Sequence, residues 1–177
     1  MNSKSLNNIS IAVILVLLAS ITRLIPHLWN FTAVGAVLLF STFYFKNRTF
    51  RLLIPIAIML FSDLCLYLIK GIPFAGIGIY LCLMLYIPIS IRIIKKVKIM
   101  SVGLAGISGA TLFFMTSNFL VWIQGGGYGL GFIETYLVAI PFYLNHMMGN
   151  MFWGTLLFGI YEAALKPTKD LTLITKD

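Results

Sequence analysis

Long apolar runs separated by short polar segments cover most of the chain. With a window of about 20 residues for one bilayer crossing, the runs predict six helical spans, at about 9–25, 31–45, 52–69, 74–92, 100–123 and 137–164. No linker, low-complexity tract or internal repeat divides them, so residues 1–177 are expected to form a single transmembrane domain. The predicted fold class is an all-α integral membrane protein, a bundle of six transmembrane helices with both termini on the same side.

Composition also favours a membrane location. Hydrophobic residues make up 60% of the 177 and charged residues 10%, with a mean hydropathy of +0.98, whereas soluble domains are roughly 45–50% apolar and 25% charged. The apolar N-terminal run lacks a small-residue cleavage site and precedes further spans, which favours a retained first helix over a secretory signal. Cys65 and Cys82 lie inside spans without the spacing of a zinc site, so we expect neither disulfides nor a structural metal.

The basic residues are distributed unevenly between the two sides of the predicted bundle. Eleven of the 13 fall on the side of the termini, and only Arg23 and Lys70 fall on the other. The eleven are Lys4, Lys46, Arg48, Arg51, Arg92, Lys95, Lys96, Lys98, Lys166, Lys169 and Lys176. By the positive-inside rule, the termini are expected to be cytoplasmic and the protein to lie in the inner (cytoplasmic) membrane. The net charge of +8 then faces anionic lipid headgroups, and no nucleic-acid partner is expected.

Asp63 is the most conspicuous polar residue, because it lies in an uncharged, mostly apolar run from Leu52 to Ile69. A carboxylate inside a membrane span is costly and usually has a function. Asp63 follows Arg51 by 12 residues, or about 18 Å of helix rise, which predicts a position beyond the bilayer midplane, towards the outside. Two roles stay open: a ligand-binding group, or a structural ion pair with Arg23 or Lys70.

Further polar residues occur in or beside the spans at a similar predicted depth. They are Arg23, His27, Asn30, Asn118, Asn145, His146 and Asn150. Phe142, Asn145, His146, Gly149, Asn150 and Trp153 recur at helical spacing and are predicted to share one inward face. Tyr80, Trp122 and Tyr136 add aromatic walls, so the sequence predicts a ligand pocket that opens outwards. The alternatives are packing for His146, hydrogen bonds between helices for Asn118 and Asn145, and snorkelling for Arg23 and Lys70.

These residues also form an ordered pattern that runs from Arg23 to Glu162. Its members are Arg23, Pro26-His27, Asn30-Phe31, Ser62-Asp63, Ser117-Asn118-Phe119, Trp122, Pro141-Phe142, Asn145, Gly149 and Phe158-Gly-Ile-Tyr-Glu162. The pattern resembles an uncharacterised family of six-helix membrane proteins similar to the substrate-binding S components of energy-coupling-factor vitamin transporters. The resemblance implies a separate ATPase and coupling membrane module as partner.

Within that group, the nearest analogues are the solitary cobalamin S components. Their pattern has a His after the first helix, an Asp in the third, and a Cys that binds cobalt and precedes a Tyr by some five residues. His27, Asp63 and Tyr80 match it, but Ala75 stands at about the cysteine position. The resemblance therefore implies a corrinoid site without a thiolate ligand, in which His27 or His146 is the candidate metal ligand.

The expected function is the uptake of a vitamin-like small molecule, with cobalamin as a candidate, through an outward-facing cavity. The chain has no Gly-x-x-x-x-Gly-Lys-Ser/Thr loop for ATP, so any ATPase must be a separate module. One alternative is an intramembrane enzyme that uses Asp63 with His27 or His146 as acid–base groups, although the sequence has no hydrolase motif and a non-enzyme is expected. Another is a structural membrane subunit, whose polar residues would pair off completely between helices. Ligand-sized empty volume would distinguish these possibilities.

Overall fold

The computed structural model describes residues 3–125 and 129–165, and every regular element in these ranges is helical. The helices are α1 Ser3–Leu24, α2 Val34–Tyr44, α3 Arg48–Lys70, α4 Ile77–Met84, α5 Tyr86–Ile93, α6 Ile99–Ile123 and α7 Phe132–Ile160, and α7 continues into a π-helical turn at Tyr161–Leu165. Since α4 and α5 are separated by one residue only, they form a single broken span. The all-helical class and the six helical segments expected from the sequence are confirmed over the described residues.

Local sequence signals explain where several helices begin and end. Asn47 caps the start of α3, because its side chain accepts a hydrogen bond from the Thr49 amide at 2.8 Å. Gly71 ends the same helix in a left-handed conformation, with φ of 66°, which glycine adopts without steric cost. Pro88 accounts for the break between α4 and α5, because it cannot donate a hydrogen bond to the carbonyl of Met84 one turn earlier.

The second helix differs most from its predicted span. It has 11 residues, or about 16 Å of rise, and is therefore shorter than the roughly 30 Å core of a bilayer. Every residue from Val34 to Thr42 is buried, because α2 contacts α1, α3, α5, α6 and α7. It is the central helix of the bundle, enclosed by the other spans.

The turn before α2 is held by specific hydrogen bonds. The Thr22 hydroxyl donates to the Ala19 carbonyl at 2.8 Å and accepts from the Ala33 amide at 3.0 Å, which ties the start of α2 to the end of α1. Asn30 has a φ of 64° and is the only described non-glycine residue with a positive φ. Asparagine tolerates this conformation better than most side chains do.

Two helices, α3 and α6, are long and apolar enough to cross a membrane, judged by length and composition. The segment from Ile9 to Leu24, α2 and the α4–α5 pair are also apolar but shorter. Only 33% of the most apolar window of α3 and 28% of that of α6 are buried inside the protein. Large apolar side chains therefore cover the outside of the bundle.

The bundle has two chemically different ends. At one, which we call the basic end, α2 and α5 finish and α3 and α6 begin, and it carries Lys46, Arg48, Arg51, Arg92, Lys95, Lys96 and Lys98. At the other, the cavity end, α1 and α3 finish near Arg23 and Lys70, and the Lys70 ammonium donates to the Leu24 carbonyl at 2.9 Å. The side chain of Lys4 and residues Lys166, Lys169 and Lys176 lie outside the described part of the chain.

Candidate functional site

Asp63 and Arg23 form the ion pair that the sequence predicted as one of two possibilities. Arg23 Nη2 lies 2.8 Å from Asp63 Oδ1, and the exposed fractions of the two side chains are 18% and 2%. The other nitrogen of the guanidinium, Nη1, donates to the Ser62 hydroxyl and contacts Met59 Sδ at 3.4 Å. Lys70 binds the Leu24 carbonyl instead, so Arg23 is the cation that neutralises Asp63.

The second oxygen of Asp63 holds the segment that leads into α4. Asp63 Oδ2 accepts hydrogen bonds from the Ala75 amide and from the Tyr80 hydroxyl, both at 2.9 Å. Asp63 therefore joins α1, α3 and α4 at the cavity end, and both of its oxygens are occupied by protein donors. At Ala75, where the cobalamin pattern has a cysteine, the backbone amide bonds to Asp63.

A polar cavity with two lobes lies next to this ion pair. Each lobe has a volume of about 140 Å³, and the two share Asn30, Phe113 and His146. The first lobe is completed by Arg23, Thr32, Val34, Met59, Ile79 and Leu83. The second is completed by Phe114, Ser117, Asn118, Ala139, Phe142 and Tyr143. Asn30 is exposed and lines both lobes, which places it at the mouth of the cavity.

A buried hydrogen-bonded chain supports the shared wall of the lobes. Asn150 Nδ2 donates to the Gly106 carbonyl at 3.0 Å and to the Tyr86 hydroxyl at 2.7 Å. The Tyr86 oxygen also lies 2.9 Å from His146 Nε2. All three side chains are buried, so each hydrogen bond replaces one that water would otherwise make.

The hydrogen bonds of Asn150 and Tyr86 determine which nitrogen of His146 carries the proton. The Gly106 carbonyl can only accept, so it orients the Asn150 amide with its NH₂ group towards Tyr86. Tyr86 accepts that hydrogen bond and must direct its own hydroxyl proton to His146 Nε2. Neutral His146 is then protonated on Nδ1, which has no hydrogen-bond partner among the described residues. His146 therefore offers a hydrogen-bond donor in the wall of the cavity.

Glycines create the space that Tyr86 and Asn150 occupy. A Cβ atom at Gly35 would collide with Asn150 Oδ1 and lie 2.9 Å from Cε1 of Tyr86. A Cβ at Gly109 would also collide with the Tyr86 ring, and one at Gly106 would lie 3.3 Å from Cβ of Asn150. Small residues on α2 and α6 thus let Tyr86 and Asn150 meet in the centre of the bundle.

Comparison with known proteins places the chain in one family. A family model described as a family of unknown function, DUF6580, matches residues 3–171. The chain belongs to this family. No curated protein matches the chain, and no solved structure matches it either. The family assignment covers nearly the whole bundle but names no ligand or activity.

The structure brings together four of the predicted site residues and places two directly behind them. Arg23, Asn30, Asn118 and His146 line the cavity. Asp63 and Tyr80 line neither lobe, but through their hydrogen bonds they hold Arg23 and α4 in position. Asn118 Nδ2 donates to the Phe114 carbonyl one turn earlier at 2.8 Å, so its bond lies within α6 and does not join two helices.

The other four predicted site residues lie elsewhere. His27 is exposed after the end of α1, where its Nδ1 lies 2.7 Å from the Ile25 carbonyl. Trp122 packs edge-on against Phe132, because the last turn of α6 has passed the cavity. The Tyr136 hydroxyl donates to the Met115 carbonyl at 2.7 Å, which directs the ring to the outer face of α6. Asn145 is half-buried and lines neither lobe.

Tyr136 belongs instead to a separate apolar groove on the side of the bundle. The groove has a volume of about 630 Å³ and lies between α4, α6 and the start of α7. It is lined by Gly78, Leu81, Cys82, Leu85, Met115, Thr116, Phe119, Leu120, Phe132 and Tyr136. Its walls are almost entirely apolar, in contrast to the two lobes of the cavity.

The sequence predictions missed Tyr86 and the cavity residues Thr32 and Phe113. Tyr86 lies in a continuous apolar run, and its single hydroxyl was the only local sign of a polar role. Asn150 was predicted to share an inward face with His146 and Gly149, and all three are buried. Among the described residues, no group of three or more His, Cys, Asp or Glu side chains could hold a metal ion.

Proposed function

We propose that this protein spans the cytoplasmic membrane several times, binds a small molecule in the polar cavity from outside and moves it inwards. The observation that carries the proposal is a cavity with a hydrogen-bond donor left over in its wall, His146 Nδ1. An unpaired polar group in an apolar interior is costly, so a donor left over beside empty volume favours a ligand that accepts its hydrogen bond.

The exposed surface of the helices supports the membrane location. In a soluble protein, a helix as apolar as α3 or α6 would be mostly buried, but less than half of each window is buried here. Exposed apolar side chains occur along the whole bundle, including Leu68 at 72%, Ile69 at 69% and Leu137 at 58%. Lipid chains would cover these surfaces without the cost that they would have in water.

The orientation follows from the distribution of charge over the two ends. The basic end would face the cytoplasm by the positive-inside rule, so the cavity end would face outwards. Cysteines are introduced one at a time at positions 46–51, between α2 and α3 and in the first turn of α3, after replacement of Cys65 and Cys82. They are expected to react with a membrane-impermeant maleimide only in inverted vesicles. Labelling in intact cells would reverse the orientation and contradict uptake from outside.

The lining indicates the kind of ligand. The His146 imidazole donates, and Arg23, Asn30 and Asn118 place further polar groups around the lobes, while Phe113 and Phe142 supply apolar walls. Such a site suits a small, partly apolar molecule that carries a carbonyl or carboxylate oxygen as hydrogen-bond acceptor. Because Asp63 neutralises Arg23, no large net charge on the ligand is required.

The volume limits the size of the ligand in this conformation. Each lobe holds about 140 Å³, whereas pockets for drug-sized ligands are typically about 300–1,000 Å³. A corrinoid is larger still and could enter only if the helices at the cavity end separated. Cobalamin therefore stays a prediction, to be tested by equilibrium binding of cobalamin and cobinamide with visible absorption. No binding of either at high micromolar concentration would exclude it.

Mass spectrometry of the protein purified in mild detergent tests the broader proposal. We expect a co-purifying small molecule that is absent from membranes lacking the protein and at least tenfold depleted in His146→Phe, which removes the donor but keeps a ring. His27→Phe is the matched control, because His27 is exposed outside the cavity. Equal depletion in both variants, or no retained molecule in the unaltered protein, would contradict binding in the cavity.

The alternatives from the sequence have less support in the contacts. Asp63 is bonded to Arg23, Ala75 and Tyr80, His146 is bonded to Tyr86, and His27 contacts the Ile25 carbonyl, so an enzyme that uses Asp63 with His27 or His146 has no contact between its acid and its base to support it. A separate ATPase and coupling module stays a prediction. Co-purification of the tagged protein with an ATPase from the source membrane would support it.

A further inference from the structure

Another groove, distinct from the polar cavity and from the lateral apolar groove, lies at the basic end of the bundle. It is a groove of about 370 Å³ between the start of α6 and the end of α7. It is lined by Val97, Lys98, Ile99, Val102, Thr155, Phe158, Gly159 and Glu162. Most of this surface is apolar, and Lys98 is the cation among these lining residues. The groove is open to the surroundings of the bundle.

The segment that leads into the groove is strongly cationic. Arg92, Lys95, Lys96 and Lys98 occur within seven residues that contain no acidic side chain, and all four are exposed. The Lys95 ammonium donates to the Ile91 carbonyl at 2.8 Å, which keeps it near the end of α5. Glu162 is the one acid of the groove lining, and its Oε1 accepts a hydrogen bond from the Tyr44 hydroxyl at 2.6 Å. Of the four cations, Lys98 lines the groove, and the other three precede it in the same segment.

The two residues that follow these cations are apolar and largely exposed. Ile99, next to Lys98, is 84% exposed, and Met100 is 81% exposed. Charged side chains beside exposed apolar ones are typical of a segment at the boundary between lipid headgroups and acyl chains. The charge and the groove therefore lie together at one membrane depth.

We infer that the groove at the basic end binds one anionic phospholipid, with an acyl chain along Ile99 and Gly159 and the phosphate near Lys98. Basic pockets between helices on the cytoplasmic side favour anionic headgroups, and each nearby Lys or Arg adds to the attraction. The inference rests on the membrane location in the proposed function, but not on ligand uptake. It assigns the groove a different occupant from that of the polar cavity.

Native mass spectrometry of the detergent-purified full chain tests this inference, with phosphatidylglycerol and phosphatidylcholine of identical acyl chains as probes. We expect one phosphatidylglycerol to bind at least tenfold more tightly than phosphatidylcholine. Lys98→Gln should weaken phosphatidylglycerol binding about fivefold. Lys46→Gln and Lys96→Gln are the controls, because Lys46 and Lys96 lie at the same end but do not line the groove. Equal loss in all three variants would indicate general charge attraction and overturn the site.

A further variant tests whether the groove holds the acyl chain of the lipid. Gly159 lines the groove, and a Cβ there meets no atom within 4 Å, so we expect Gly159→Leu to occupy part of the groove and to abolish the bound lipid. Gly76→Leu, at a position of the cavity end where a Cβ also meets no atom within 4 Å, should not. Competition by glycerol phosphate as strong as by the whole lipid would show an anion site only and overturn the lipid assignment. Recovery of the protein in the soluble fraction would refute the membrane location itself, a result distinct from failure of lipid binding.

Discussion

The interiors of the two ends of the bundle differ in packing and in polarity. The cavity end surrounds empty volume with polar groups that are tied to one another, whereas the interior near the basic end is filled by an aromatic plug of Phe40, Phe43, Tyr44, Phe158 and Tyr161. Rings in the plug approach to centroid distances of 4.1 Å between Tyr44 and Tyr161 and 5.2 Å between Phe40 and Phe158. Phe40 and Phe158 are only 4% and 2% exposed.

The polar cavity and the plug therefore lie at opposite ends of the bundle. Helix α2 connects the two regions, because it begins with Val34 in the first lobe and ends with Tyr44 in the plug. A molecule that passed through the protein would have to displace the plug. The following substitutions separate the two ends, and they are ordered by the size of the expected effect.

Asp63→Ala should have the largest effect, because it leaves the half-buried Arg23 without its counter-charge and removes the acceptor for Ala75 and Tyr80. Loss of one partner of a buried pair typically costs about 3–5 kcal/mol of unfolding free energy. We expect a smaller loss here, because the Arg23 side chain is 18% exposed. Denaturant unfolding in detergent measures it. The double variant Arg23→Met, Asp63→Leu should recover much of the loss. Equal destabilisation of the single and double variants would indicate that the charge pair is not the cause.

Gly35→Ala should have an intermediate effect on the cavity end. The added methyl group collides with Asn150 and Tyr86, and overpacking of this kind typically costs about 1–3 kcal/mol. Thermal unfolding measures stability, and the amount of co-purified ligand reports on His146. Gly103→Ala is the control, since no atom lies within 4 Å of its Cβ, and it should be neutral or stabilising by up to about 1 kcal/mol. Similar behaviour of the two variants would contradict the tight contact around Tyr86.

Tyr44→Phe should have the smallest effect, confined to the basic end. It removes the hydrogen bond to Glu162 and keeps the ring in the plug, so a loss of about 0.5–1.5 kcal/mol of unfolding free energy is expected. Ligand retention in the cavity should not change, and thermal unfolding measures the difference. A loss of ligand as large as in His146→Phe would mean that the two ends are coupled more closely than their separate contacts indicate.

The sequence was most informative where a polar group had no local partner. A carboxylate in an apolar span must be neutralised, and only Arg23 and Lys70 lay on the right side, so the pair with Arg23 could be predicted as one of two choices. The helical ends at Asn47 and Gly71 also carry recognisable caps. In both cases, the physical requirement acts on a single residue and is visible without knowledge of its neighbours.

The sequence was least informative about which face of an apolar helix is buried. Helix α2 is apolar on all sides, so its pattern did not distinguish a central helix from a lipid-facing one. Tyr86 becomes a site residue only because Gly35 and Gly109, from two other helices, leave room for its ring. Trp122 and Tyr136 have the residue types of a binding wall, but the rotation of α6 and α7 directs them away from the cavity. These arrangements depend on tertiary packing.

The break between α4 and α5 has a mechanical consequence. Helix α4 carries Ile79 and Leu83 on the wall of the first lobe and Leu81 and Cys82 on the wall of the apolar groove. Because Pro88 cannot bond to the Met84 carbonyl, we expect α4 to be held less firmly to α5 than in a continuous helix, while Tyr86 stays bonded to Asn150. A tilt of α4 towards the 630 Å³ groove would enlarge the first lobe at the expense of the groove. The groove is therefore the empty space into which α4 would move if the polar cavity widened.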